Sequence, residues 1–356
     1  MIKANVDYKD GNGDVASKIA TYGVGGLRPF IGKDGKAYMT VYNGGDPKKA
    51  SSYKTIQTNK GTLRDDEWKQ LDNAVLETAK SNLNGFQDIL NRRLSVPLGD
   101  AMGTTIFQTS KRNGDMTADV TMNGRTKANN DRPTYEPEFL PIPIIHADYE
   151  IGTRALRASR KGNTPLDTVN AEDAARAVME VRENMLFTAT EFTFGGGTIY
   201  SFLNEPNRNT DTGLNDWTDT ANVTGKDIVN DVNNVMKAGL IADHHGGPYV
   251  LYANSAVETR LDDDYSDTKG SNTIRDRILA INNIQDVVTV DALPSNTVLL
   301  VQVTSNVVRI VNGMGLSNIQ WQTGDGFVNY YKAMAIQVPQ VRSDGSGQSG
   351  VFHGSW

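Results

Sequence analysis

The stretch "NAEDAARAVMEVRENMLF", residues 170–187, constrains the fold more than any other part of the chain. Ala171, Ala174, Val178, Val181 and Met185 recur at helical spacing, and Ala175, Met179 and Leu186 widen the stripe. Glu172 and Arg176 form an i,i+4 pair, and Asn170 is placed to cap the first turn. The opposite face is charged. A helix of this length with one apolar stripe must lie along a sheet or another helix.

Two more helices read clearly. "TLRDDEWKQLDNAVLETAKSNLNG" has Thr62 as N-cap with Asp65 three residues on, and acidic Asp65, Asp66 and Glu67 in the first turn. Its apolar face is Trp68, Leu71, Val75, Ala79 and Leu83, with Gly85 as the stop. "TGKDIVNDVNNVMKAGLI" pairs Thr224 with Asp227 as a cap and buries Val229, Val232, Met236 and Leu240. Apolar runs then alternate with short connections: "YVLYAN", the short helix "NTIRDRILAIN", "DVVTVDAL", "TVLLVQV", "NVVRIVNG" and a long strand "FVNYYKAMAIQVPQV".

The remaining stretches lack core. Residues 1–60 are rich in Gly, Lys, Asp, Ser and Asn without a sustained period, which predicts an extended arm or a weakly ordered segment. Residues 107–145 carry Asn113-Gly114, Asn123-Gly124 and four prolines, and read as a long polar hairpin with a strand at "DMTADVTM". Such a hairpin needs a neighbouring surface to hold its shape. The end, "RSDGSGQSGVFHGSW", reads as a Gly/Ser-rich tail.

Composition removes several chemistries. The chain has no cysteine, so disulfides, thiolate catalysis and Cys-based metal sites are excluded. A net charge of −6 gives no sign of tight, general nucleic-acid binding. No apolar stretch is long enough to cross a bilayer, and the N-terminus lacks the pattern of a signal peptide, so the expectation is a soluble protein that works where it is made.

Three stretches invite a catalytic reading. "DHH" at Asp243, His244 and His245 matches the name-giving triplet of metal-dependent phosphoesterases, but no strand ending in further Asp ligands precedes it, and Gly246, Gly247 and Pro248 favour a turn. "FGGGTIY" lacks the Lys of a phosphate-binding loop and reads as a tight turn or linker. "RLDDDYSD" lacks the spacing of a calcium loop and reads as a solvated acidic loop. Arg157, Arg160 and Lys161 cluster in "RALRASRKG", either on a solvated loop or at an inter-subunit or nucleic-acid contact. No catalytic, cofactor-binding or metal-ligating residue is assigned.

The order of motifs carries more. "TLRDDEWKQLDNAVLETAKSNLNG", "FLPIPIIHADYEIGTRALRASRKG", "AEDAARAVMEVRENMLF", "TIYSFLNEPNR" and "GGPYVLYANSAVETRL" together resemble the encapsulin-like branch of HK97-fold phage major capsid proteins, over residues 62–338. The resemblance implies an α+β, HK97-like capsid fold with P-domain, A-domain, extended E-loop and N-terminal arm. On this chain it places an arm at 1–61, a first P-domain part at 62–106 and an E-loop at 107–147. The P-domain with its spine helix falls at 148–200, an A-domain at 201–310, return strands at 311–340 and a tail at 341–356.

The implied function is structural. The subunit would self-assemble as a homo-oligomer into pentamers and hexamers of an icosahedral phage capsid in the host cytoplasm. That shell would enclose double-stranded DNA without sequence-specific binding. Scaffolding, portal and decoration proteins are the further partners, with no cofactor and no membrane. The alternative is an encapsulin nanocompartment enclosing cargo enzymes. The arm-like start and the Gly/Ser tail depart from encapsulins and favour the phage reading. The family's A-domains meet around a ring axis, which suggests pH-dependent contacts for His244 and His245.

Overall fold

The computed structural model describes residues 28–356, apart from 44–48, 59–60, 62, 82–83, 114–119, 121, 123–133, 163–165, 267–271 and 324–326. Two sheets organise the described chain. One has five strands in the order Asn209–Asp211, Val351–Ser355, Thr297–Gln302, Tyr249–Ala253 and Ile284–Thr289. The other has four: Ser95–Pro97, Val308–Thr323, Val328–Val341 and Ile145–Gly152.

The runs "YVLYA" and "TVLLVQ" are apolar at nearly every position because the five-stranded sheet is covered on both faces. Tyr249, Leu251, Val298 and Leu300 enter a core with the helical stretch 225–242. Val250, Tyr252, Leu299 and Val301 enter another with Phe86, Phe187 and Phe202. The four-stranded sheet divides likewise. Tyr331, Ala333 and Ala335 meet Trp68, Leu71 and Val178, whereas Met334, Ile336 and Val338 face Leu140, Ile199 and Val311.

Pro339 sits inside the long strand opposite Ile310. The N–H of Ile310 donates to the carbonyl of Leu94, away from Pro339. The pair is therefore of the non-hydrogen-bonded type, and the missing proline N–H faces the other edge. There the strand Ile145–Gly152 has ended, its last rung being Ile145 opposite Ala335. A proline in this register costs no ladder bond.

Several local expectations change. The long helix runs Val169–Phe187 with Thr168 as N-cap, so Asn170 lies inside its first turn. Ala171, Ala174, Ala175, Val178, Met179 and Leu186 are buried, but Val181 is 46% exposed. Arg176 approaches Asp173 at 3.9 Å rather than pairing with Glu172. Trp68, Leu71 and Val75 are buried on helix Asp65–Ser81. Thr62, Leu83 and the Ala79 side chain lie outside the described residues. Glu67 closes the helix start by accepting from the Arg64 N–H at 2.7 Å. Gly85 is not a stop but opens the next helix, Gly85–Asn91. The Thr224–Asp227 capping box is present, and Val232, Met236 and Leu240 are fully buried. The middle of that helical stretch, Asp231–Lys237, is π-helical, with the Asp231 carboxylate accepting from the indole Nε1–H of Trp217 at 3.0 Å.

Two regions read as unpatterned are ordered sheet. Ala37–Tyr42, Tyr53–Thr58, Phe30–Ile31 and Leu63–Arg64 form a four-stranded sheet that buries Met39 and Val41. Of the arm expected over residues 1–61, residues 1–27 lie outside the described residues. The C-terminal "tail" is the second strand of the five-stranded sheet: Val351–Ser355 pairs antiparallel with Thr297–Val301 and parallel with Asn209–Asp211. Trp356 stacks on Trp217 at 5.9 Å.

Candidate functional site

The Asp-His-His triplet ends a helix. Helix Ala238–Ala242 terminates with His244 at φ 65°, and the N–H groups of His244 and His245 donate to the carbonyls of Ile241 (3.0 Å) and Leu240 (2.9 Å). This is the paired 5→2 and 6→1 arrangement of a Schellman motif, with histidine where glycine is favoured. Asp243 Oδ2 accepts from Asn209 Nδ2 at 2.5 Å, and His245 Nδ1 meets Gln302 Oε1 at 2.8 Å. The Asp243 and His245 side chains diverge to different partners, and His244 is exposed. Among the described residues no group of three or more His, Asp or Glu converges to hold a metal. His244→Gly should relieve the left-handed backbone and raise stability by about 0.5–1 kcal/mol. A urea titration checks this.

The other chemical candidates also resolve into structure. Asp262 pairs with Arg275 at 2.8 Å and Asp263 with Arg260 at 2.9 Å, so the acidic loop is partly neutralised. Arg160 lies on helix Thr153–Gly162, not on a loop, and binds Glu67 through two 2.7 Å bonds; Arg157 and Lys161 are exposed. Burial pushes the Glu67 carboxyl up, but the Arg160 guanidinium and the Arg64 N–H outweigh it and hold it below the usual glutamate range. The stability this contributes is fully present above the unfolded glutamate pKa of about 4.3 and is lost as pH falls through the lower folded value. Glu67→Gln should remove that component of the acid transition and cost about 1–3 kcal/mol at neutral pH. Thermal melts across the acid range measure both.

The hairpin has the features of an interaction arm. Ile106–Asn113 pairs with Thr134–Pro141 in a two-stranded sheet. Asn113 closes the described ladder opposite Thr134; of the strand expected at 115–122 only Val120 and Met122 are described, neither in a strand, and the Asn123-Gly124 turn lies outside the described residues. Along Thr134–Pro141, Tyr135, Pro137 and Phe139 share one face by strand alternation and all three are exposed, Tyr135 at 66% and Phe139 at 41%. The row leaves apolar surface of this hairpin open to solvent.

The root of this hairpin is seated firmly. Lys111 Nζ donates to Ser343 Oγ (2.7 Å), Gln340 Nε2 to Thr109 Oγ1 (3.2 Å), and the Arg309 guanidinium lies 5.9 Å from the Phe107 ring. "FGGGTIY" belongs to the same seat. Phe192–Phe194 and Gly197–Ile199 form a small hairpin turning on Gly195 and Gly196, both at positive φ. A Cβ on Gly197 would lie 2.1 Å from the Phe139 carbonyl oxygen, so the two backbones touch there.

The long helix carries two charges that periodicity did not single out. Glu183, 1% exposed, accepts from the N–H groups of Gly85 and Phe86, both at 2.9 Å. Arg182, 7% exposed, donates to Gln337 Oε1 and stacks 4.7 Å above the Phe86 ring. Burial lowers the Arg182 guanidinium to about 10 and raises the Glu183 carboxyl. Position 182 continues the spacing of Val178 and Leu186, which is the one sequence sign that it faces inward.

Solved structures share this architecture. A virus-like particle from Pyrococcus furiosus superposes with a TM-score of 0.58 at 14% identity, covering 80% of this chain and 98% of that one. The capsid of Myoviridae phage XM1 gives 0.54 at 11% identity, over 71% and 86%. The capsid of a native GTA particle gives 0.51 at 14% identity, over 87% and 95%. The chain has the HK97-like capsid fold. Within that class, its residues 57–354 match the model of a family of unknown function (DUF6260), and the chain belongs to that family. It is also 25% identical over 209 residues to the type 1 encapsulin shell protein EncA of Myxococcus xanthus, a match over 58% of this chain that spans just under two thirds, 66%, of the relative's length.

Proposed function

We propose that the chain is a non-catalytic structural subunit that assembles with copies of itself into a closed icosahedral shell. The observation that carries this is the hairpin. Its strand Thr134–Pro141 exposes Tyr135, Pro137 and Phe139, which belong to none of the fold's own cores. In this reading the hairpin, 107–147, is the E-loop and lies over the next subunit. Segments 62–106, 148–200 and 311–340 form the P-domain, and 201–310 the A-domain. The strand Val351–Ser355 joins the A-domain, since it pairs with Thr297–Val301. Heterologous contacts of this kind close into rings, pentamers and hexamers here, when the rotation permits.

The main reading is a phage capsid in the virion, enclosing double-stranded DNA held without sequence specificity, with scaffolding, portal and decoration proteins as further partners. The net charge of −6 supports a shell that does not grip its genome strongly. The similarity to EncA supports the second reading, a nanocompartment. The order of the C-terminal strand also removes one of the two departures that set this chain apart from encapsulins.

Sedimentation velocity tests the assembly reading. The double substitution Tyr135→Ser, Phe139→Ser should abolish particles while leaving the melting curve of the isolated subunit unchanged, because both side chains are exposed. Particles of unaltered size and yield would contradict it.

A further inference from the structure

The cationic cluster of the sequence, Arg157, Arg160 and Lys161, divides between two sides of helix Thr153–Gly162. Leu156 is buried against the protein, and Arg160, on the side nearer to it, is taken by Glu67 through two 2.7 Å bonds. Arg157 and Lys161 lie on the other side, where Arg154 joins them. At about 100° per residue, positions 154, 157 and 161 fall within about 60° of one another, opposite Leu156. All three side chains are exposed, and so are Ala155 and Ala158 between them.

Fold stability does not account for this face. Among the described residues none of the three has an ion-pair partner, since Glu67 is taken by Arg160 and Asp65 by Lys69. Asp66 is exposed and within electrostatic reach of Arg160, but Arg64, also exposed, lies within reach of Glu67 and offsets it. Lys161 in the last turn suits the helix dipole. Arg154 opposes it, being in a first turn that holds no acidic residue.

A polyanion answers all three charges. From Arg154 to Lys161 the helix rises about 10 Å. One strand of a DNA duplex presents a phosphate about every 3.4 Å along the axis, so roughly three phosphates over that length. The alanines between the cations add little bulk, which lets a phosphate backbone lie along the helix. The acidic loop of a second copy fits less well, because Asp262 and Asp263 are already paired with Arg275 and Arg260. We propose that the face formed by Arg154, Arg157 and Lys161 binds the phosphate backbone of nucleic acid without regard to sequence. Three contacts give weak, salt-sensitive binding, in keeping with a net charge of −6. That the nucleic acid is a packaged genome rests on the phage reading; the binding itself does not.

Fluorescence anisotropy of a labelled DNA duplex, titrated with the full chain, tests this. The hairpin variant Tyr135→Ser, Phe139→Ser is titrated alongside, so that the helix face is reachable even where the wild-type chain closes into a particle. Between about 50 and 200 mM salt the affinity should fall about 40-fold, the slope of about −2.7 set by three phosphates. Changing the sequence of the duplex should leave it unaltered. Arg157→Gln should reduce the slope by about one, whereas Lys33→Gln, at an exposed lysine outside the helix, should not change it. Arg154→Gln, Arg157→Gln and Lys161→Gln together should abolish binding while the melting curve is kept. No binding by either protein at the lower salt, or binding that survives the triple substitution, would overturn the proposal. So would a triple variant that no longer forms particles in the absence of DNA, which would make the face a contact between subunits. Wild-type chain that binds the duplex but never forms particles would support the binding and count against the shell reading alone.

Discussion

A chain ending at Gly350 should not fold. The six residues it lacks contribute the strand between Thr297–Gln302 and Asn209–Asp211, so truncation splits the five-stranded sheet. Val351 and Phe352 are buried at 0% and 5% exposure. Phe352 also packs so closely on the helix that a Cβ on Gly239 would lie 2.8 Å from its ring. Phe352→Ala alone should cost about 3–5 kcal/mol, and a domain holds only about 5–15 kcal/mol in total. Loss of both side chains and two ladders exceeds that margin. Truncated protein should be recovered insoluble, whereas the Phe352→Ala protein stays soluble with a lowered urea midpoint. A truncated chain with native circular dichroism and an unchanged midpoint would refute the placement of this strand.

Glu183→Ala should be nearly as damaging. The carboxylate is the acceptor for two N–H groups at the start of helix Gly85–Asn91, and removing it leaves both buried and unsatisfied. It also leaves Arg182 as a buried cation without the adjacent negative charge. Breaking a buried charged arrangement of this kind costs about 3–5 kcal/mol. Glu183→Gln retains one acceptor and should fall between. Gly85 cannot compensate by moving, because even a methyl group there would meet the Phe187 ring at 2.3 Å. Chemical denaturation of the three proteins ranks these effects.

Sequence period revealed what local pattern controls. The long helix, the Thr224–Asp227 cap and the apolar runs of the central sheet all announced themselves, since each depends on neighbouring residues in the chain. The C-terminal strand did not. "SGVFHGS" carries glycines that imitate a linker, yet Gly354 is small because a Cβ would lie 2.2 Å from the Leu214 side chain. Its burial is conferred by strands far away in sequence. "AYMTVY" did alternate, burying Met39 and Val41, but its Gly- and Lys-rich surroundings hid the signal.

The same division holds for the candidate interaction arm. Turn pairs and prolines exposed the hairpin, but nothing local pointed to its seat on Gln340 and Ser343, which follow more than 200 residues later. The triplet shows the reverse error of emphasis. Asp243, His244 and His245 look like ligands only when read side by side; on a helix end they separate to Asn209, solvent and Gln302.

Electron microscopy of the purified full chain tests the central claim most directly. The account predicts closed particles of uniform size built from rings of subunits. A folded protein that remains monomeric under every assembly condition tried would contradict it.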